Sequence, residues 1–390
     1  MAVTSGRPLA VTPAAARSAR AGGLARSLVL RNEAALLGLV LLGGVLAAIA
    51  LPGFGTAGNL NSILNNSAAI AVVAVGEAFV IISRQIDLSV GAIVGVSAYI
   101  IGLVVGHISG PAGPLVGVLL ALAVGAVAGL GNAVLVERFR MPAIIATLAT
   151  LSIYGGILFL ISNGSQIYLS QLPRWLAGLY GSAWAGIGAF IWIAVICLIA
   201  GALLMRMTRF GRDLYAMGSN PEAARYLGIR SGVRTYEAFA ACGAAAGIGG
   251  FLYVGQYGNI DATAGSGMEL TVIAAAVIGG VSLFGGSGTP FGAVLGAVLL
   301  TELENILALL KISIFAQQTL QGAAIVLAVA VYAVVSRRLH RPAPRHFAAV
   351  LDAPVPATSP EAATADEVPA ASAGIPGGAN TAAPKERSEP

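Results

Sequence analysis

Charged residues are scarce in this 390-residue chain: Asp, Glu, Lys and Arg make up only 10% of it, whereas 57% of its residues are apolar. A soluble globular domain carries roughly 25% charged residues. The shortage of charge and the mean hydropathy of +0.85 therefore exclude a soluble globular protein. We expect an all-α integral membrane protein, because a helix satisfies its own backbone hydrogen bonds in lipid.

Cysteine and histidine are also rare, with 2 and 3 copies in the whole chain. Cys197 and Cys242 both fall within apolar runs, where a free thiol behaves as a small hydrophobic group. The sequence has no CxxC or HExxH motif, no GxxxxGKS or GxxxxGKT nucleotide loop, and no readable Ser-His-Asp or Cys-His arrangement. We therefore expect no metal site, no catalytic residue and no bound cofactor in this chain.

Long apolar runs dominate what is present. A helix needs roughly 17 to 25 apolar residues to cross the hydrocarbon core of a membrane. Ten runs qualify, so the sequence predicts a polytopic helical bundle with about ten transmembrane helices. The runs lie near residues 34–51, 66–82, 88–107, 114–136, 141–161, 185–206, 235–255, 268–284, 288–309 and 315–335. Glycine and serine interrupt the third, eighth and ninth runs, so we expect some broken or re-entrant segments.

The positions of the basic residues predict the orientation of the bundle. If the N-terminus is cytoplasmic, all of the 22 Lys and Arg residues except Arg174 and Lys311 fall on the cytoplasmic side, as the positive-inside rule requires. Both ends of the chain are then cytoplasmic. The formal net charge of +5 is explained by this orientation, so we expect membrane lipid and no nucleic acid as a partner.

Composition divides the chain into three parts. Residues 1–33 form a basic cytoplasmic N-terminal segment, 34–335 a transmembrane domain, and 336–390 a Pro- and Ala-rich tail. The tail has no apolar periodicity, so we expect it to be a disordered cytoplasmic extension. Glycine supplies 51 residues, and spacings such as that of Gly125 and Gly129 favour close packing of the helices.

The longest cytoplasmic loop, 206–237, is the most informative region. It carries six arginines, and within it SNPEAARYLGI has the pattern of a short capped helix. Asn220 can accept hydrogen bonds from first-turn amides, Pro221 suits the first helical position, and Gly228 ends the helix. Such a helix beneath the membrane favours docking of a soluble partner. A basic anchor on anionic lipid is the alternative.

The stretch ISRQIDLSVGAIVG places two opposite charges, Arg84 and Asp87, three residues apart in an apolar context. If the stretch is helical, the two side chains can form an ion pair, and Asp87 with Ser89 can cap the span that follows. A direct role in gating or in the solute path is the alternative, because charged residues inside a membrane usually pair or line a water-filled route.

Three motifs in this chain resemble one known family: QIDLSVGAIVG, GSNPEAARYLGI and GMELTVIAAAVIGGVSLFGGSGTPFGAVLGA. They resemble the transmembrane permease subunits of bacterial ABC importers for ribose, xylose, galactose and related sugars. The resemblance covers roughly residues 34–335 and implies a multi-pass protein of the bacterial inner membrane. It also implies that this chain is not an enzyme, since a separate subunit binds and hydrolyses ATP.

The resemblance implies several partners. Two permease copies, or two related permeases, would form the pathway, with a cytoplasmic ATP-binding cassette ATPase below and a periplasmic or extracytoplasmic solute-binding protein above. The loop 206–234 would hold the helix that couples the permease to the ATPase. By this resemblance the coupling residues are Asn220, Pro221, Glu222, Ala223, Ala224, Arg225, Leu227 and Gly228.

Acidic residues within the spans complete the set of candidates. Carboxylates suit the hydroxyl groups of a sugar, but pairing across helices is equally open for Glu77, and the helix dipole explains Glu269 at the start of its span. Glu302 and Glu304 of the ninth span pose the same choice. The translocation or gating candidates are Glu77, Arg84, Asp87, Ser89, Gly91 and Glu269.

One departure from the family pattern bears on the solute. The family commonly shows GGIDLSVG where this chain has RQIDLSVG, and this feature, with MPAIIATLATLSIYGG at 141–156, resembles the branch associated with rhamnose and autoinducer 2. We therefore predict an importer permease that moves a monosaccharide or sugar-like solute inward by alternating access. An ion- or proton-coupled secondary carrier is the alternative, which would need charged residues deep in several spans.

Overall fold

The computed structural model describes residues 33–326 apart from 109, 111, 314, 321, 324 and 325. Within these residues the chain is mostly helical, with four strands of two residues each. The helices are α1 (Glu33–Ala50), α2 (Ala57–Ile82), α3 (Val90–Val105), α4 (Gly113–Ala133), α5 (Ala143–Ser162), α6 (Arg174–Gly181), α7 (Ala189–Met207), α8 (Arg209–Ser219), α9 (Pro221–Tyr226), α10 (Ser231–Tyr257), α11 (Met268–Ile278) and α12 (Pro290–Leu309). The strands are β1 (Ile167–Tyr168), β2 (Ala183–Trp184), β3 (Ile187–Gly188) and β4 (Asn259–Ile260).

Nine apolar helices correspond to the first nine predicted spans. Among the described residues, seven are long enough to cross a membrane: α1, α2, α4 with the π-helical turn that extends it, α5, α7, α10 and α12. Helices α3 and α11 are shorter but also apolar. This arrangement confirms a polytopic all-α membrane protein. The N-terminal segment up to residue 32, most of the tenth predicted span and the tail 336–390 lie outside the described residues.

One predicted boundary is wrong by more than two turns. Helix α2 begins at Ala57 and not near residue 66. The hydroxyl oxygen of Thr56 accepts a hydrogen bond from the Asn59 amide at 3.3 Å and caps the helix there. The added turns contain asparagine and serine, so a search for continuous apolar runs passes over them.

The connections between helices gather at two opposite ends of the bundle. One end, which we call the loop end, contains the break 83–89 after α2, the connection 208–230 around α8 and α9, and the break 279–289 after α11. At the other, which we call the strand end, β1 pairs with β4 and β2 pairs with β3. Each successive membrane-crossing helix joins one end to the other, as repeated crossing of a membrane requires.

Helix α10 occupies the centre of the bundle and packs against α2, α3 and α4. Its contact with α4 depends on glycine: Gly243 and Gly247 face Gly125 and Gly129 so closely that a Cβ atom on any of the four would overlap a backbone atom of the other helix. Close backbone approach of this kind replaces the hydrophobic effect in lipid. Helices α1, α4, α5 and α7 expose much of their apolar surface at the periphery.

Helix α11 has only 11 residues because the chain reaches it through the interior of the bundle. After β4, the segment 261–267 runs inward beside α3, where the carbonyl oxygens of Ala264 and Gly265 lie against Gly95 and Gly91. Non-helical backbone is tolerated at this depth because the segment is partly buried in protein and otherwise lines a cavity. This broken segment lies ahead of the predicted run 268–284 and not within it.

Candidate functional site

Helix α9 begins with the predicted cap. Asn220 Oδ1 accepts a hydrogen bond from the Ala223 amide at 3.0 Å, and Pro221 occupies the first helical position. Glu222 lies in the first turn, where the positive end of the helix dipole stabilises a negative charge. Local interactions among neighbouring residues therefore fix the start of this short helix.

The end of α9 is fixed just as firmly, by a Schellman motif. Gly228 has a φ of 78°, a backbone conformation that glycine adopts without strain. Its amide donates to the Arg225 carbonyl at 3.0 Å, and the Ile229 amide donates to the Ala224 carbonyl at 3.1 Å. With both ends held, α9 is a rigid projection from the loop end of the bundle.

The projecting surface of α9 carries two large apolar side chains. Tyr226 is 92% exposed and Leu227 is 79% exposed, with Glu222 and Arg225 exposed beside them. We call these four residues the α9 knob. Ala224 is buried and holds the helix against the rest of the chain. The sequence prediction omitted Tyr226, although its place inside the capped helix was a usable signal.

Helix α8 attaches the knob to the bundle. It buries one face, which includes Leu214, and exposes its arginines. Arg234 of α10 binds Asp213 of α8 at 2.8 Å and Glu237 of its own helix at 2.6 Å. Partly exposed ion pairs contribute only about 0–1 kcal/mol each, so their main effect is to fix the position of α8 relative to α10.

The end of α8 contacts the last residue of α2, where the first break begins, and the second break. Gly218 packs against the Ile82 carbonyl and the Gly286 amide so closely that a Cβ atom at Gly218 would overlap both. The Gly286 amide itself donates to the Ile82 carbonyl at 2.9 Å, and the Tyr215 hydroxyl donates to the Gly288 carbonyl at 2.7 Å. These contacts join the end of α8 to the end of α2 and to the break after α11.

The start of α1 also contacts this region, at the end of the break after α11. The Thr289 hydroxyl, which caps α12, donates a hydrogen bond to the Glu33 carboxylate. Burial, with a smaller contribution from Glu33, raises the pKa of the Tyr215 phenol to about 12. The phenol is therefore protonated at neutral pH and can keep donating to the Gly288 carbonyl.

A buried polar cluster lies beside the first break. Asp87 is fully buried; its Oδ1 accepts hydrogen bonds from the Ser89 amide at 2.9 Å and the Ser89 hydroxyl at 2.7 Å. Its Oδ2 accepts from Asn132 Nδ2 of α4 at 3.0 Å. The Tyr154 hydroxyl of α5 lies 3.3 Å from Asn132 Oδ1 and extends the cluster to a further helix. Asp87 thus accepts from the Ser89 amide just ahead of α3, but among the described residues no side chain accepts a hydrogen bond from the first-turn amides of α3, so the predicted cap by Asp87 and Ser89 is not formed.

Glu77 of α2 is the second carboxylate of this cluster. It is fully buried, its Oε1 accepts from the Asp87 amide at 3.1 Å, and its Oε2 accepts from the Cys242 thiol at 3.4 Å. In the described part of the chain, neither carboxylate forms an ion pair with Lys, Arg or His. Hydrogen-bond donors from several helices compensate for their burial instead. Its apolar surroundings predict that Cys242 acts only as a small hydrophobic group, but its thiol also donates a hydrogen bond to Glu77.

Arg84 does not pair with Asp87, so the predicted ion pair is wrong. Residues 83–89 are not helical, and a spacing of three brings side chains together only in a helix. Arg84 is exposed and has a φ of 70°, whereas Asp87 points into the cluster. The Arg84 backbone packs instead against Gly285 of the second break.

Gly91 and Glu269 form a separate contact where α3 and α11 begin. A Cβ atom at Gly91 would overlap the Glu269 carboxylate and would lie 2.6 Å from the Gly265 carbonyl oxygen. Glu269 is partly buried in the first turn of α11, where the helix dipole favours its charge. Gly91 is therefore required for the inward segment to pass beside α3.

The structure thus brings Glu77, Asp87 and Ser89 into one cluster and leaves Arg84 at its edge. Sequence reasoning missed Asn132 and Tyr154, which complete the cluster. Asn132 offered a signal, because it is an amide in an otherwise apolar span.

These features define a class of protein. A bundle of apolar helices, two broken segments in direct contact and a rigid helix projecting from one end belong to the membrane-spanning subunit of a transporter. In the part of the chain that the structure describes, no group of three His, Cys, Asp or Glu residues could hold a metal ion.

The chain belongs to the family described as branched-chain amino acid transport system / permease component, which matches residues 59–329. It is 39% identical over 250 residues to the autoinducer 2 import system permease protein LsrC of Yersinia enterocolitica (serotype O:8 / biotype 1B), which covers 64% of this chain and 68% of that protein. It is 38% identical over 253 residues to the protein of the same name from Salmonella paratyphi B, with 65% and 72% covered. No solved structure matches the chain.

These similarities confirm the predicted permease subunit of an ABC importer. The chain is a multi-pass membrane component of an import system in which a separate ATPase hydrolyses ATP. Import systems of this kind work with ATPase and solute-binding partners in general. The ion-coupled carrier is not favoured.

Proposed function

We propose that this chain forms the pathway of an ABC importer for a sugar-like solute of the autoinducer 2 or rhamnose type. One observation carries the proposal: α8 and α9 present the exposed α9 knob at the loop end while Gly218 contacts the end of α2 and the second break. A docking surface and the broken helices are thereby joined in one rigid unit. The relatives named as autoinducer 2 permeases support this class of solute.

The proposed orientation places the loop end in the cytoplasm. Arg209, Arg212 and Arg230 lie at this end, whereas the two exceptional basic residues, Arg174 and Lys311, lie at the strand end. The ATPase then docks on the α9 knob, and a solute-binding protein docks at the strand end. Both termini are cytoplasmic, the membrane is the bacterial inner membrane, and a second permease copy or a related permease completes the pathway.

In this mechanism the chain itself binds no cofactor, and ATP binds to the partner ATPase. Movement of the knob shifts Gly218 and with it the Ile82 and Gly286 backbones. The first break can move only if hydrogen bonds around Asp87 rearrange, each worth about 0.5–1.5 kcal/mol net. The buried cluster therefore holds the first break in place. The ATPase supplies the energy that rearranges these hydrogen bonds and allows the break to move.

Co-purification of the ATPase tests the proposal. The chain is solubilised from its own host, and bound ATPase is measured for the wild type and for a Glu222→Lys, Arg225→Glu double variant. We expect the wild type to retain an ATPase and the double variant to lose it, because both charges lie on the exposed knob.

The matched control reverses two exposed charges at the strand end, Arg174→Glu and Lys311→Glu. This control should retain the ATPase. A wild-type chain that is monodisperse but brings down no ATPase would refute the proposed import mechanism. Equal retention by both double variants would show that the ATPase docks elsewhere than on α9.

A further inference from the structure

A polar groove opens near the strand end, between α2, the end of α10, the inward segment 261–267 and α12. It consists of two adjoining cavities of about 550 and 350 Å³, within the usual range for small-molecule sites. None of the predicted gating residues lines it. The residues that line both cavities are Asn66, Ile70, Gln256, Tyr257, Glu304 and Gln317.

Asn66 and Gln256 provide the central hydrogen-bonding groups of the groove. Asn66 Oδ1 accepts from the Tyr180 hydroxyl at 3.0 Å and from Gln256 Nε2 at 3.2 Å, which fixes both amides. Gln256 Oε1 is buried and has no hydrogen-bond partner among the described residues. A buried acceptor of this kind is stabilised when a ligand or water donates to it, and a solute hydroxyl is such a donor.

The charge of the groove favours an uncharged solute. Of the described residues that line the two cavities, none is Lys, Arg or His, and Glu304 is the only carboxylate. The start of α11, whose amides could attract an anion, lies against the Glu269 carboxylate. A phosphorylated solute or a free amino acid would therefore bring a negatively charged group to a site without a compensating cation.

An aromatic surface lies beside these polar groups. The Tyr257 side chain is 59% exposed, and its ring centroid is 4.4 Å from that of Tyr253, which also lines the larger cavity. Aromatic rings offer a large apolar contact with a polar tip. They can cover the C–H face of a small ring while amides bind its hydroxyl groups.

We infer that this groove holds the solute during passage, that Asn66 and Gln256 bind its hydroxyl groups, and that it takes uncharged polyhydroxylated solutes. The inference rests on the proposed import function. The groove lies near the strand end, where a solute released by the binding protein would enter.

The test measures solute imported per ATP hydrolysed, by the complete importer in proteoliposomes with its ATPase and binding protein. The probes are labelled autoinducer 2, L-rhamnose, D-ribose and L-leucine. Gln256→Leu and Asn66→Leu remove the polar groups, Gln256→Asn keeps one, and Ser152→Leu on the exposed face of α5 is the matched control. Loss of one hydrogen bond predicts about three- to tenfold less solute per ATP for each leucine variant, with ATPase stimulation retained.

A second measurement covers variants that fail to fold. Tyr257→Cys alters an exposed side chain, and saturating solute should slow its reaction with a water-soluble thiol reagent by about threefold or more at an occupied site. The matched variant Ser152→Cys, at an exposed position of α5, should show no such protection.

The outcomes separate the inference from the proposed function. Unchanged solute per ATP in both leucine variants, or no protection of the cysteine at 257, overturns the groove as the solute site while ATP-driven import stands. The solute class is overturned if leucine is imported in preference to the three polyhydroxylated probes. It is also overturned if the ATPase is stimulated but none of the four probes is imported. If no ATPase assembles with the wild type, the proposed function fails, and the inference fails with it.

Discussion

Replacing Gly218 with alanine should uncouple the knob from the two breaks. The new Cβ atom would overlap the Ile82 carbonyl and the Gly286 amide, which are backbone atoms and cannot move aside as a flexible side chain can. Overpacking of this kind costs about 1–3 kcal/mol. The gain in helix propensity from Gly to Ala offsets about 1 kcal/mol, which leaves a net cost of roughly 0–2 kcal/mol at this junction.

The cost falls on the contact between α8 and the breaks and not on the knob. We therefore expect Gly218→Ala to keep the ATPase bound but to lower ATP-driven uptake about fivefold, which is the factor for about 1 kcal/mol, the middle of that range. Uptake and bound ATPase are measured in parallel on the same membranes. Gly155→Ala on α5 is the matched control, because no atom lies within 4 Å of a Cβ built there.

Wild-type uptake by Gly218→Ala, together with wild-type thermal stability, would refute the transmission of movement through this contact. Loss of the ATPase from Gly218→Ala would show that the substitution also displaces the α9 knob, and the predicted separation of docking from uptake would then be wrong.

Three further substitutions test other parts of the site. Asp87→Asn should lower the free energy of unfolding by about 1–3 kcal/mol and reduce uptake, because an amide nitrogen then faces the Asn132 amide nitrogen. A melting temperature and an uptake rate equal to those of the wild type would contradict this. Asn220→Ala should lower the stability of α9 by about 0.5–2 kcal/mol through loss of its cap and should weaken ATPase retention, whereas Asn220→Asp should keep the cap and the ATPase. Equal ATPase retention by the two variants would show that the cap does not support docking. Gly91→Ala should lower uptake, and Glu269→Ala in the same chain should restore part of it; the double variant must therefore exceed Gly91→Ala alone in an uptake assay.

Local chemistry explains which parts of the site could be predicted. Helix α9 was predictable because Asn220, Pro221 and Gly228 act on amides only a few residues away. The cluster around Asp87 was not, because Asn132 lies 45 residues further along the chain and reaches it only through packing. The spacing of Arg84 and Asp87 misled for a different reason: it predicts contact only if the backbone between them is helical, and residues 83–89 are not.

The spans were predictable from apolar length, but the path of the backbone between them was not. Hydropathy located the run at 268–284, yet it could not show that segment 261–267 first enters the bundle beside α3. That route depends on glycines of α3 whose need for space becomes visible only when the two segments are packed.

The glycine contact between α4 and α10 also has a consequence for biogenesis. Helix α4 leaves the ribosome long before α10, so the face with Gly125 and Gly129 has no partner while α5 to α9 are being made. In lipid, helices form first and associate afterwards through such surfaces. The central pair of this bundle can therefore assemble only after most of the membrane domain has been inserted, and any chain truncated before Gly243 leaves α4 with its binding face open to lipid or to other proteins.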